Sequence, residues 1–109
     1  MKLVHVSGLN SEEEFDVITL IAKLTIKAGK EQEFEKTMKQ VVPEVRKEPG
    51  NRAYFMCRSK KDSRVFVFYE EYIDEDAVAV HRKHLGELVN LATLLDGPPQ
   101  LEFLERLAG

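Results

Sequence analysis

The sequence contains no tryptophan, one cysteine (Cys57), three histidines (His5, His81 and His84) and four prolines. A lone cysteine rules out an internal disulfide and fits a reducing compartment. There is no surplus of positive charge either. Sixteen Lys and Arg face nineteen Asp and Glu, for a net charge of −3. Nucleic acid recognition needs a concentrated basic surface, so that class of partner is not expected. Basic residues in "RKE" and "SKKDSR" are interleaved with acids and read as solvated faces. No apolar run is long enough to span a membrane, so no membrane partner is expected. The opening "MKLVHVSGLNSEEE" is too short and too polar in its apolar part to serve as a signal peptide. These absences together predict a cytoplasmic protein.

What is present suits one small domain. The chain has 109 residues, 43% of them apolar and 32% charged. A domain of this length buries a modest core and often gains stability by association. Residues 1–14 read as a leader, in which "LVHV" is able to pair as a short edge strand. The domain proper spans 15–109.

"FDVITLIAKLTI", residues 15–26, is rich in β-branched residues and reads as a strand buried on both faces. A helix over 30–47 follows, with Phe34, Met38, Val41, Val42 and Val45 on one stripe. Pro43 lies inside it and predicts a kink or break near Val42. "EPGN" stops that helix. Residues 52–59 and 64–72 read as strands around the turn "KKDS", a β-hairpin. Asp74 is the expected N-cap of a second helix, with Glu75 and Asp76 in its first turn. Its apolar face continues through Leu88 to Leu95, Gly86 weakens it at mid-span, and "DGPP" ends it. "QLEFLERL", residues 100–107, is a final strand. The order β-α-β-β-α-β predicts the ferredoxin-like α+β fold, a four-stranded antiparallel sheet with two helices on one face.

Along strand 64–72, alternation sends Phe66, Phe68 and Tyr72 one way and Val65, Val67 and Tyr69 the other. Helices cover one face. The other would leave a large apolar patch on a monomer, which predicts a homodimer packed sheet against sheet.

The stretch "YEEYIDEDAVAVHRKHLGEL" holds the candidate chemistry. The phase of the helix directs His81 at the sheet. It is either a hydrogen-bonded core histidine or a pocket imidazole able to act as base or donor. His84, three residues on, is expected at the helix edge. A metal needs three or four ligands, and no recognisable set accompanies this pair, so no metal site is expected. Tyr72 is either a packed tyrosine or a donor to a substrate oxygen. Tyr54, Phe55, Phe66 and Phe68 are expected as pocket walls. Glu70 is either ion-paired with Arg52, Arg58 or Arg82, or an acid–base group with a raised pKa; the ion pair is the expectation. Cys57 is expected to be buried and inert.

"EPGNRAYFMCRSKKDSRVFVFYEEYIDEDAVAVH", together with "IKAGKEQEFE" at the first strand-to-helix junction, resembles the antibiotic biosynthesis monooxygenase family. The resemblance covers residues 15–107. It implies a dimeric α/β barrel of ferredoxin-like protomers, and an enzyme that oxidises a small quinol or phenol with O2 and uses neither metal nor flavin. His81 matches the family's helix histidine and Tyr72 an aromatic position ahead of the acidic turn. On this basis His81 and Tyr72 are the expected catalytic residues, with Tyr54, Phe66, Phe68 and Glu70 around a small-molecule substrate. The same segment is similar to the autoinducer-2 degradation protein, which implies an isomerase of small phosphorylated carbonyl sugars as an alternative. A non-catalytic binding dimer is the third reading, favoured by the missing tryptophan and by the early position of His84 in "HRKH".

Overall fold

The computed structural model describes residues 17–109, so the leader and its "LVHV" segment lie outside the described residues. The elements are β1 (Ile18–Thr25), α1 (Glu31–Arg46), β2 (Asn51–Arg58), β3 (Val65–Tyr72), α2 (Glu75–Leu88), a short 3-10 turn (Leu91–Thr93) and β4 (Gln100–Leu104). All strand pairs are antiparallel, in the order β2-β3-β1-β4. This is the ferredoxin-like arrangement. Among the described residues no helix is long and apolar enough to cross a membrane.

β1 lies between β3 and β4, with Leu20, Ala22 and Leu24 buried beneath the helices. Its opposite face is less covered than expected, because Ile21 is only half-buried. The α1 stripe of Phe34, Met38, Val41 and Val45 packs on the sheet. Phe34 meets Phe66 at 4.7 Å and Phe68 at 6.3 Å between ring centroids.

The expected break at Pro43 does not occur, and α1 continues to Arg46. The proline is exposed and sits in the last turn. The missing N–H therefore costs one hydrogen bond near an end already able to reach water, while Val41 and Val45 hold the helix to the core.

The second helix is shorter than its apolar pattern predicts. The Asp74 carboxylate accepts from the Ala77 N–H at 2.8 Å and caps it as expected. It ends at Leu88, two residues after Gly86, and not at "DGPP". Leu94 and Leu95 are buried, but by another route. The sheet end takes the backbone there, with Lys27 N–H donating to Leu94 C=O (2.9 Å) and Asp96 N–H to Thr25 C=O (2.8 Å). Hydrogen bonds to Thr25 and Lys27 at the end of β1 replace those that further helical turns would have made.

β4 is also shorter than expected, ending at Leu104. Leu101 stands opposite Ala22 and Phe103 opposite Leu20, so both face the helix side of the sheet. Yet each is about half-exposed, at 49% and 56%. The helices sit over the β2–β3–β1 part of the sheet and leave this edge open.

Candidate functional site

The open edge leads into a cavity of about 240 Å³ between α2 and the sheet. Its floor is Leu20, Ala22 and Leu24 of β1, with Tyr54, Phe68 and Glu70 from β2 and β3. Val78, His81, Arg82 and Leu85 of α2 form the roof, Met38 closes the inner side, and Leu91, Pro99 and Leu101 form the rim. The walls are mostly apolar, and a few polar groups converge, as in small-molecule sites generally.

A tight turn builds the polar end. After α1, Glu48 N–H donates to Val45 C=O (3.0 Å) and Asn51 N–H to Glu48 C=O (3.1 Å). Gly50 then passes so close to α2 that a Cβ on it would lie 2.3 Å from the Ala77 methyl. Its carbonyl accepts from Ile73 N–H at 2.9 Å. Only glycine allows this approach, and the approach presses Glu48 under the helix. The Glu48 carboxylate accordingly meets two imidazoles. His81 Nδ1 lies 3.2 Å from Oε1, and His84 Nδ1 lies 2.7 Å from Oε2.

On the far side of the His81 ring, Nε2 stands 3.7 Å from Glu70 Oε1. That oxygen also accepts from the Tyr72 hydroxyl at 2.7 Å. The His81 ring is held between Tyr54 and Tyr72, with centroids 5.3 and 5.1 Å away. The line Tyr72–Glu70–His81–Glu48–His84 thus runs from core to surface.

Burial sets the proton affinities. It lowers the pKa of His81, against the opposing pull of Glu48, so the neutral ring is favoured near pH 7. Burial also pushes the Glu70 carboxyl up to about 7, despite the Tyr72 hydrogen bond; the nearby Glu48 adds to the rise and Arg82 opposes it. Glu70 is therefore poised to take or give a proton near neutral pH. Burial beside carboxylates raises the pKa of Tyr54 and Tyr72, which remain phenols and hence donors.

His81, Glu70, Tyr54 and Phe68 come together at the cavity. Phe55, Phe66 and Tyr72 do not line it, and Phe55 lies half-exposed on the uncovered sheet face beside Tyr69. Phe66 packs between Phe34 and the Arg58 guanidinium, 4.9 Å above its ring. Tyr72 is fully buried, its hydroxyl committed to Glu70. Glu70 is not ion-paired with Arg52, Arg58 or Arg82 among the described residues; its partner is a phenol. His84 is not simply a solvated edge residue, since Glu48 holds it. Cys57 is exposed, because the strand's alternation puts it on the uncovered face opposite Val67. Among the described residues no three His, Cys, Asp or Glu side chains are grouped to hold a metal ion.

Glu48 is the site residue that residue-by-residue reading missed. It sits in a turn motif that appears only to stop a helix. The available signal was indirect: two histidines on one helix face need a buried acceptor, and "EPGN" supplies an acid beside a close-packing glycine.

The antibiotic biosynthesis monooxygenase family pattern matches residues 17–86. Among solved structures, a protein from Pseudomonas aeruginosa is 27% identical, with a TM-score of 0.76 over 85% of this chain and 96% of its own. An antibiotic biosynthesis monooxygenase is 26% identical, with a TM-score of 0.76 over 84% of this chain and 99% of its own. A Caulobacter crescentus protein, a candidate antibiotic biosynthesis monooxygenase, is 26% identical, with a TM-score of 0.74 over 93% of this chain and 99% of its own. No curated protein matches the chain. With the family pattern spanning both helices and the three strands that carry Tyr54, Glu70 and His81, the chain belongs to the antibiotic biosynthesis monooxygenase family.

Proposed function

We propose that the protein is a cofactor-independent monooxygenase that oxidises a small quinol or phenol with O2. The observation that carries this reading is an open, mostly apolar cavity of about 240 Å³ with His81 and Glu70 at its polar end. An engineered cavity of about 150 Å³ holds benzene, so this space suits one or two fused rings. Neutral His81 takes the phenolic proton at Nε2. The resulting phenolate is electron-rich enough to reduce O2. One oxygen atom enters the ring and the other leaves as water, so a hydroquinone and O2 become a hydroxyquinone and H2O. The four electrons come from the substrate itself. The Tyr54 phenol, which lines the cavity, orients the substrate oxygen; Tyr72 acts through Glu70.

Oxygen uptake with a panel of reduced quinones tests this reading. We expect uptake with at least one, and a fall of about 10²–10⁴ in kcat for His81→Ala. No uptake across the panel, together with no effect of the substitution on any turnover, removes it. Arg82 at the cavity favours a second reading, an isomerase of a small phosphorylated sugar in which His81 and Glu70 exchange a proton beside a carbonyl. Deuterium incorporation into such a substrate without O2 separates the two.

The reading includes a homodimer. The uncovered sheet face bears half-exposed Phe55 stacked on Tyr69 at 6.3 Å, with half-buried Ile21, Val65 and Val67 beside them. A second copy covering this face would bury a patch that monomers avoid. Sedimentation of the wild type as a dimer and of Phe55→Lys as a monomer is the expected result; a monomeric wild type refutes it. A cytoplasmic location accords with the exposed thiol of Cys57.

A further inference from the structure

The acid–imidazole line has more members than the proposed chemistry uses. Deprotonation at the cavity needs His81 and Glu70, but Glu48 and His84 lie beyond them, away from the substrate space. They line a different hollow on the outer surface, with Lys47 and Lys83 at its edge. Exposure changes along the line: the side chains of His81 and Glu48 are 6% and 5% exposed, and that of His84 is 31% exposed. A carboxyl group held between two imidazoles by different oxygens is costly to bury. It does connect a buried proton acceptor to the outer surface.

We propose that Glu48 and His84 form a proton exit from the cavity, carrying the proton taken up at His81 to the outer surface. This rests on the reading of His81 as the cavity base. Each step moves one proton across a contact already in place or nearly so. A proton arrives at His81 Nε2 from the substrate, with Glu70 Oε1 3.7 Å from the same nitrogen. The imidazolium gives its Nδ1 proton to Glu48 Oε1, at 3.2 Å. In the same movement Glu48, which enters the step with a proton on Oε2, gives that proton to His84 Nδ1, at 2.7 Å, and keeps the one received on Oε1. His84 releases its Nε2 proton to water. One proton enters and one leaves. Each imidazole receives on one nitrogen and gives from the other, so both rings end in the opposite tautomer and the Glu48 proton moves from Oε2 to Oε1; the same line run inward restores them. Glu48 and His84 never touch substrate and act only through His81.

The proposal predicts how quickly the buried ring N–H of His81 exchanges with water, a quantity that needs no substrate. NMR of the full-length protein with 15N-labelled histidine reads it directly. In the wild type we expect exchange well above that of a sealed core group. Glu48→Gln keeps the acceptor and the shape but cannot carry the proton, and His84→Phe keeps a ring but removes the exit. Each should slow exchange at least tenfold while the His81 signal stays in its folded position. A cluster that merely fastens the turn to α2 would respond in the opposite sense, since loosening it admits water. Unchanged or faster exchange in the folded His84→Phe protein therefore overturns the relay, whatever Glu48→Gln does to folding. If no quinol is oxidised but exchange depends on both residues, the exit stands and the assigned reaction falls. Where a quinol does turn over, His84→Phe should lower kcat, not KM, and added imidazole should restore it; a kcat indifferent to His84→Phe also overturns the relay.

Discussion

Replacing Glu70 with glutamine removes a buried ionisable group while keeping an oxygen to accept from the Tyr72 hydroxyl. Burial holds the carboxyl at about 7, against an ordinary 4.5. Below pH 4.5 both folded and unfolded chains carry the proton and the shift has no effect. Between 4.5 and about 7 the unfolded chain has lost the proton and the folded chain keeps it, so stability falls as pH rises through this window. Above 7 the loss is complete. At about 1.4 kcal/mol per pKa unit, the full loss is about 3 kcal/mol, most of it incurred between pH 5 and pH 8. Burial of His81 acts in the other direction, because its lowered pKa makes stability fall as pH drops below 6.5. The wild-type profile therefore mixes two opposed slopes, and the informative quantity is the difference between variant and wild type. Urea unfolding at pH 5 and pH 8 measures it. Glu70→Gln should gain about 2–3 kcal/mol on the wild type between the two pH values, or about 10–20 °C in Tm for a domain near 100 residues. A difference that stays constant across this range would mean that Glu70 ionises normally, and the raised proton affinity of Glu70 would be refuted.

Three further outcomes follow from particular contacts. Gly50→Ala sets a methyl group 2.3 Å from that of Ala77, which has no flexible end to move aside. It should destabilise by about 1–3 kcal/mol in thermal unfolding and shift the His81 and His84 NMR signals as the turn carrying Glu48 backs away. Pro43→Ala restores a backbone donor in a helix that already continues through the site, and should stabilise by about 1–3 kcal/mol; unchanged stability would show that the last turn gains nothing from the bond. Tyr54→Phe removes one donor from the cavity floor and should lower kcat/KM on a quinol by about 10–100-fold with the fold unaltered.

Much of the fold is legible along the chain because its signals are local. Asp74 ahead of two acids marks a capped helix, and the Asp74 carboxylate does cap it. The alternation of β3 separates Phe66, Phe68, Glu70 and Tyr72 from Val65, Val67, Tyr69 and Glu71, and burial follows that division. The misjudged boundaries lie where distant backbone intervenes. Apolar spacing continues past Leu88, but Leu94 and Asp96 hydrogen-bond to Lys27 and Thr25 at the end of β1, and no helical period anticipates a partner some seventy residues earlier. Pro43 misleads for the converse reason: its cost depends on being exposed and terminal, which only the packed helix defines.

At the site, the sequence by itself determined that His81 faces the sheet, because helical phase follows from spacing along one element. It likewise determined that Glu70, Phe68 and Tyr72 share a strand face. Which of these reach open space was decided by tertiary structure. The helices leave the β4 edge uncovered, so Phe68 and Glu70 border a cavity while Phe66 and Tyr72 are packed away. The pairing of Glu48 with His81 and His84 was decided there too. It spans 33 and 36 residues and depends on one close contact, Gly50 against Ala77, that brings a turn and a helix face together.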